Sequence, residues 1–286
     1  MVRNMDPEEA LNELTKYMNE MLKFCRERGI GSDIHSRLEF IMVHWGRGVY
    51  TKEDIESLEQ LPEFWDYIIL DYEFSGKNVR ELFVREHSEL PREVKQMILN
   101  MKSVHSVFFV EEIDRKNSRV VLRRPYTKDR YVIWTKILLD TLVIGDLVRC
   151  RVITWRGHNF VWGFVMKYRK ELAEKIKRHE EFLEELEDDI ESFLDIEKER
   201  LSERTYRKRK DHLWTFYEYI QKRPEINDYR RLTKTLIKGY IKWLRRMIGI
   251  SKTYIRENIT SVRKFFGFLQ ERNKITKNPA KEIQIL

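Results

Sequence analysis

The sequence predicts a mixed α+β chain, mainly α, of 286 residues. It reads as a helical region at 1–103, a small β-barrel of SH3 or OB type at 104–168, a long coiled-coil-like helix at 169–200 and a basic helical bundle at 201–286. Three observations predict this. Apolar residues recur at helical spacing as far as residue 103. From Val104 the period switches to strand-like alternation. Near Lys167 it turns helical again, first as a heptad seam and then as separate amphipathic segments.

Asp6-Pro7-Glu8-Glu9 opens the first helix with an N-cap, a proline at N1 and a capping-box glutamate, and the helix runs towards Gly29. A second helical stripe carries Leu38, Ile41, Met42 and Trp45 and ends at Gly46. Thr51 caps a third helix, and Pro62 marks a break before Phe64, Trp65, Tyr67, Ile68 and Ile69. Two more helices are expected at 78–87 and 91–103, the latter started by Pro91. In the barrel, Val107–Val110 and Val120–Leu122 flank a polar hairpin loop, and Tyr131–Trp134 is a third strand. Val148, Cys150 and Val152 alternate with Leu147, Arg149 and Arg151 as a half-buried strand would. Arg156–Asn159 then turns the chain into Phe160, Val161 and Trp162.

Leu172, Ile176, His179, Leu183, Leu186, Ile190 and Phe193 form a three-heptad a/d seam on an acidic helix. Such a seam pairs with its copy in a second subunit or lies along another helix of its own chain. Its narrow apolar stripe favours a homodimer. Ser202, Ser251 and Asn278-Pro279 signal three helix starts beyond it. The three helices between them carry Tyr206, Leu213, Phe216, Tyr217 and Ile220; then Leu236, Ile237, Tyr240, Ile241 and Leu244; then Ile255, Ile259, Val262, Phe266 and Leu269.

Charge is distributed unevenly. Residues 201–286 hold 22 Lys/Arg against 8 Asp/Glu, whereas the preceding 200 residues hold 33 against 39. Concentrated positive charge is the footprint of a phosphate-backbone partner. Lys234, Lys238, Lys242 and Arg245 stripe one helix, Lys252, Arg256, Arg263 and Lys264 another, and Arg204, Arg207, Lys208 and Lys210 crowd the start of the first. These are the candidate nucleic-acid contacts. Trp155, Arg156 and His158, near Phe160 and Trp162, are a secondary candidate, since aromatics beside cations hold single strands on OB-type surfaces. The same aromatics would also fill a barrel core, the reading that strand alternation favours.

Leu201-Ser202-Glu203-Arg204-Thr205-Tyr206 with Leu213 and Phe216, then Ile250-Ser251-x-Thr253-x-Ile255-Arg256, Val262-Arg263-Lys264-Phe265-Phe266-x-Phe268-Leu269 and Ile275-x-x-Asn278-Pro279-Ala280 follow in order. This segment resembles the SAM-like core-binding domain of tyrosine recombinases, or phage integrases. The resemblance covers residues 201–286 only. It implies one half of a clamp around duplex DNA. The recombinase catalytic domain, with its His-x-x-Arg and tyrosine nucleophile, does not follow it, so the resemblance implies binding without catalysis.

Other chemistry finds little support in the sequence. The two cysteines, Cys25 and Cys150, suit reduced thiols in a cytoplasmic protein rather than a disulfide framework. No apolar run approaches the ~18 residues of a membrane span. His35, Glu39 and His44 lack the spacing of a zinc peptidase site, and no metal or cofactor is expected. The 36% charged content, against a usual ~25%, suits the surface ion-pair networks of thermophiles. The sequence therefore predicts a dimeric, non-catalytic binder of duplex DNA, architectural or regulatory. A dimeric RNA- or ribosome-associated factor that bridges ribosomal particles or blocks subunit association is the alternative.

Overall fold

Helix α1 (Pro7–Arg28) begins where the Asp6 carboxylate accepts the Glu8 N–H and Pro7 presets the first turn. It stops at Gly29, whose φ of +65° lets the Ile30 N–H turn back to the Cys25 carbonyl. These details come from a computed structural model that describes residues 5–44, 50–247 and 249–283. Helix α2 (Ile34–His44) differs from the predicted stripe: it buries Phe40 and Ile41, while Leu38 and Met42 are exposed. Trp45 and Gly46 lie outside the described residues. Thr51 and Asp54 close a capping box on α3 (Lys52–Ser57). Pro62 occupies the first turn of α4 (Pro62–Leu70), which is apolar on nearly every side and sits at the centre of the helical core. A small hairpin, β1 (Glu73–Phe74) and β2 (Lys77–Asn78), leads to α5 (Val79–Glu86) and α6 (Arg92–Leu99). The last helix ends earlier than expected, because the first barrel strand already starts at Lys102.

That strand, β3 (Lys102–Asp114), pairs through its first half with β6 (Leu147–Trp155) and through its second half with β4 (Arg119–Arg123). With β5 (Arg130–Trp134) and β7 (His158–Lys167) the ring closes in the order β3-β4-β5-β7-β6, and β5 meets β7 in parallel. Phe108, Val110, Val120, Leu122, Ile133, Val148, Cys150 and Val152 fill the interior.

The expectation of a half-buried β6 is corrected. Leu147 is 1% exposed and Arg151 5%, on the side that should have met water. The outer face of this strand packs on the helices: Ile153 and Trp155, with Phe160 of β7, belong to the same core as α1, α4 and α5. Arg151 is tolerated there because it donates to Asp71 at 2.6 Å and to Ser103 at 2.7 Å. The chain accordingly forms two compact units, Met1–Arg169 and Lys170–Leu286, and the boundary expected near residue 103 falls inside the first.

The Trp155, Arg156 and His158 turn is corrected too. Trp155 is 2% exposed and donates its Nε1–H to Glu13 at 2.9 Å. Arg156 reaches both oxygens of Glu13 at 2.8 Å and also pairs with Glu93. His158 Nε2 lies 3.0 Å from the Met5 carbonyl. Arg156 takes a φ of +50° ahead of Gly157, the left-handed pair that a tight hairpin needs. The turn locks barrel to helices, with Trp155 buried and Arg156 committed to Glu13 and Glu93.

In the second unit, α7 (Lys170–Arg200) is followed by α8 (Glu203–Gln221), α9 (Lys234–Arg246) and α10 (Lys252–Glu271). The a/d seam is buried from His179 to Phe193 by its own chain. Phe193 meets Phe265 and Phe268, Phe182 meets Tyr229, and His179 Nδ1 lies 2.7 Å from the Ile226 carbonyl. The apolar stripe is wider than two positions per heptad, since Phe182 and Leu194 are buried as well. Asp189 joins them, held by the Tyr229 hydroxyl and Lys274. Of the seam, Leu172 alone is 37% exposed. From His179 to Phe193 the intramolecular alternative is the one realised, and that stretch is covered by its own chain. Asn278-Pro279 is corrected from a helix start to a turn, in which Asn278 accepts the Ala280 N–H and donates to the Arg263 carbonyl.

Two outcomes follow. Leu186→Ala should cost about 2–5 kcal/mol in thermal unfolding while the mass by light scattering stays that of wild type; a halved mass at unchanged stability would restore the dimer. Arg156 holds the Glu13 carboxyl below the usual carboxylate range, the Trp155 N–H adding to it against the opposing effect of burial. That stabilisation is present above the unfolded value of roughly 4.3 and fades as pH falls through the depressed folded one. Glu13→Gln should therefore lose roughly 1–3 kcal/mol at neutral pH and converge on wild type in acid, as read by thermal melts across pH.

Candidate nucleic-acid interface

The basic faces are set by how α8, α9 and α10 bury their other sides. Thr233 caps α9 by accepting the Leu236 N–H, a start that the sequence reading missed. The helix then buries Leu236, Ile237, Tyr240, Ile241 and Leu244. Tyr240 is its anchor: the ring packs on Phe216 and Tyr219, and the hydroxyl donates to Asn258 Oδ1 at 2.9 Å. With that face committed, Lys234, Lys238, Lys242, Arg245 and Arg246 all point to water, and Thr235 is the sixth exposed residue of the helix. Lys238, Lys242, Arg245 and Arg246 form no ion pair among the described residues. Lys234 pairs with Glu282 at 3.0 Å.

The same Glu282 shows what surrounds the start of α9. Lys234 holds its carboxyl below the usual range, and Lys277 and Lys281 add to the effect. These two lysines, with Arg246, extend the basic surface beyond the predicted set. For Arg246 the available signal was the absence of any acid between Asp228 and Glu257.

The other predicted contacts divide. Lys252, Arg256 and Lys264 on α10, and Arg204 and Lys210 on α8, are exposed and without an acidic partner among the described residues. Arg207 pairs with Glu203 at 2.7 Å and Lys208 with Glu257 at 3.1 Å. Exposed pairs of this kind are worth about 0–1 kcal/mol, so a phosphate competes with them easily. Arg263 is a correction. Its guanidinium donates to the carbonyls of Ala280 and Ile283, both at 2.9 Å, and so pins the C-terminal turn to α10. Arg209, within the basic run of α8, is buried against Glu197.

No group of three or more His, Cys, Asp or Glu that could hold a metal occurs among the described residues. Cys25 and Cys150 are buried, and burial pushes both thiols up to about 12, far from a reactive thiolate. No described helix is long and apolar enough to cross a membrane.

Residues 18–195 match a family of unknown function, DUF7986. No curated protein and no solved structure matches the chain. The matched region takes in the second half of α1, the remaining helices of the first unit, the whole barrel and α7 as far as Asp195, and it stops short of the basic helices. More than half of the length lies within it, so the chain belongs to the DUF7986 family of unknown function.

Proposed function

We propose that the chain binds nucleic acid through the phosphate backbone, without reacting with it, and that the exposed face of α9 carries the contact. The supporting observation is that five of the six exposed residues of this helix are Lys or Arg, four of them unpaired. A solvated surface helix normally mixes signs, because like charges at adjacent turns repel. A face that keeps five cations together gains when a polyanion arrives and counterions leave. The resemblance of 201–286 to integrase core-binding domains favours duplex DNA. The turn at Asn278-Pro279-Ala280 keeps a place in this reading, as the clasp that Arg263 closes on α10.

An RNA-directed role is the second reading, and the barrel supports it. Its strand order, with the third strand parallel to the fifth and the first closing on the fourth, is the pattern we assign to the OB type. Arg119, Arg123 and Arg130 lie on its β4–β5 surface, and Lys136 stands 5.5 Å from the Trp134 ring centre. Glu111 already holds Arg123 and Arg130, which makes this surface the weaker candidate. Neither reading requires a dimer.

With about six phosphates neutralised, log affinity for duplex DNA should fall against log salt with a slope of about −5. Lys238→Glu combined with Lys242→Glu should flatten that slope by about 2 and weaken binding at least about tenfold at moderate salt. Unchanged affinity in a filter-binding or anisotropy titration would move the interface elsewhere. Running the same titration with duplex RNA separates the two readings. Arg263→Ala should instead lower the melting temperature and leave the salt slope near that of wild type.

A further inference from the structure

A recess of about 390 Å³ opens in the first unit between α1, α4 and β7. That volume falls within the range of small-molecule sites. Its wall is largely apolar, from Met18, Leu22, Trp65, Ile69 and Trp162, and it contains one carboxylate without a cationic partner, that of Asp66.

The fold makes room for this carboxylate in a specific way. β7 leaves its ladder with β6 between Trp162 and Met166, a bulge in which Phe164 turns out to 60% exposure. Gly163 lies in the bulge with φ +71°, and a Cβ there would stand 2.4 Å from Asp66 Oδ2. Any other residue would displace the carboxylate. Asp66 Oδ1 accepts the Trp162 Nε1–H at 2.8 Å, and Oδ2 takes no hydrogen bond among the described residues. Oδ2 is thereby left open to the recess. Burial pushes the carboxyl up to about 6, opposed by the Trp162 bond and the more distant Arg151.

The charged groups around it explain what is missing. Arg151 is committed to Asp71 and Ser103, and Glu59 to Arg37. Glu63 and Asp71 add negative potential at Asp66. Arg26 also lines the recess; it lies 5.2 Å from the Trp65 ring centre and makes no ion pair among the described residues. The site lacks a cation at one end and tolerates an anion at the other.

We infer that this recess binds an organic amine, its ammonium on Asp66 Oδ2, its apolar, ring-sized body against Leu22, Trp65 and Ile69, and Arg26 able to receive an acidic group at the far end. An ammonium offsets the desolvated negative charge, and indole walls add cation–π attraction. A neutral or acidic ligand supplies neither. The inference is independent of nucleic-acid binding by the second unit.

The test uses three compounds with one body: phenethylamine, phenylalanine and 3-phenylpropionate, each titrated calorimetrically into the intact chain at pH 7.5. The two amines should saturate with Kd of about 0.1–1 mM, a normal strength for ligands of this size, and the acid should bind at least about tenfold more weakly. Asp66→Asn keeps an acceptor for Trp162 and removes the charge, so it should weaken phenethylamine at least about tenfold. Should that variant fail to fold, wild type at pH 5.0 provides the second measurement, where protonation of Asp66 should weaken phenethylamine by a similar factor. Equal binding of the acid, unchanged amine binding in the folded Asp66→Asn variant or at pH 5.0, or no saturation by either amine up to about 10 mM would overturn the inference.

Discussion

β6 is buried on both of its faces, and the architecture of the first unit depends on that constraint. One face supplies Val148, Cys150 and Val152 to the barrel interior, and the other supplies Ile153 and Trp155 to the helical core. A strand in this position ties its two neighbours together, because separating them would return apolar area to water at about 25 cal/mol per Å². The polar groups along the seam follow suit: Arg151 finds Asp71, and the Trp155–Arg156 turn finds Glu13 and Glu93. Each is a buried donor that would otherwise be left unpaired. The bulge in β7 belongs to the same junction, and it leaves the recess beside Asp66.

The second unit solves a comparable problem with helices alone. α7 has 31 residues, and from His179 onward its apolar side is covered by α8, α10 and the segment around Ile226 and Tyr229. The acidic side chains of α7 take part: Glu187 accepts from Tyr217, Asp189 meets Tyr229 and Lys274, and Glu197 takes Arg209. Acids are thus spent on holding the bundle together. α9 contains none, and apart from Lys234, which pairs with Glu282, its cations form no ion pair among the described residues.

The two candidate sites differ in kind. The α9 face is convex, exposed and of one sign, which suits a long polyanion and discriminates little between sequences. The recess by Asp66 is concave and largely apolar, with one carboxylate oxygen open to it, which suits a small cation. The recess lies inside the DUF7986 match, and the basic bundle lies outside it.

Local chemistry determined much of this protein without reference to the fold. Asp6, Thr51, Asn78 and Ser251 start helices where they stand, because a cap needs only its own next turn. The switch to alternation near Val104 marks the barrel, and the run without acids between Asp228 and Glu257 marks the basic face. Period reports that a face is apolar; it carries no information about what covers that face. The seam of α7 is therefore compatible in sequence with a partner in either chain, and only the fold brings Phe265, Phe268 and Tyr229, far along the chain, to fill it. Arg263 and Lys264 are adjacent and chemically alike, yet one pins a turn and the other is free, since only the tertiary structure brings the Ala280 and Ile283 carbonyls to Arg263. Asp66 was unremarkable in sequence for the same reason: its place beside Gly163 and Trp162 depends on a bulge nearly 100 residues away. Capping, periodicity and charge are properties of neighbours in sequence, whereas burial and hydrogen-bond satisfaction are settled by neighbours in space.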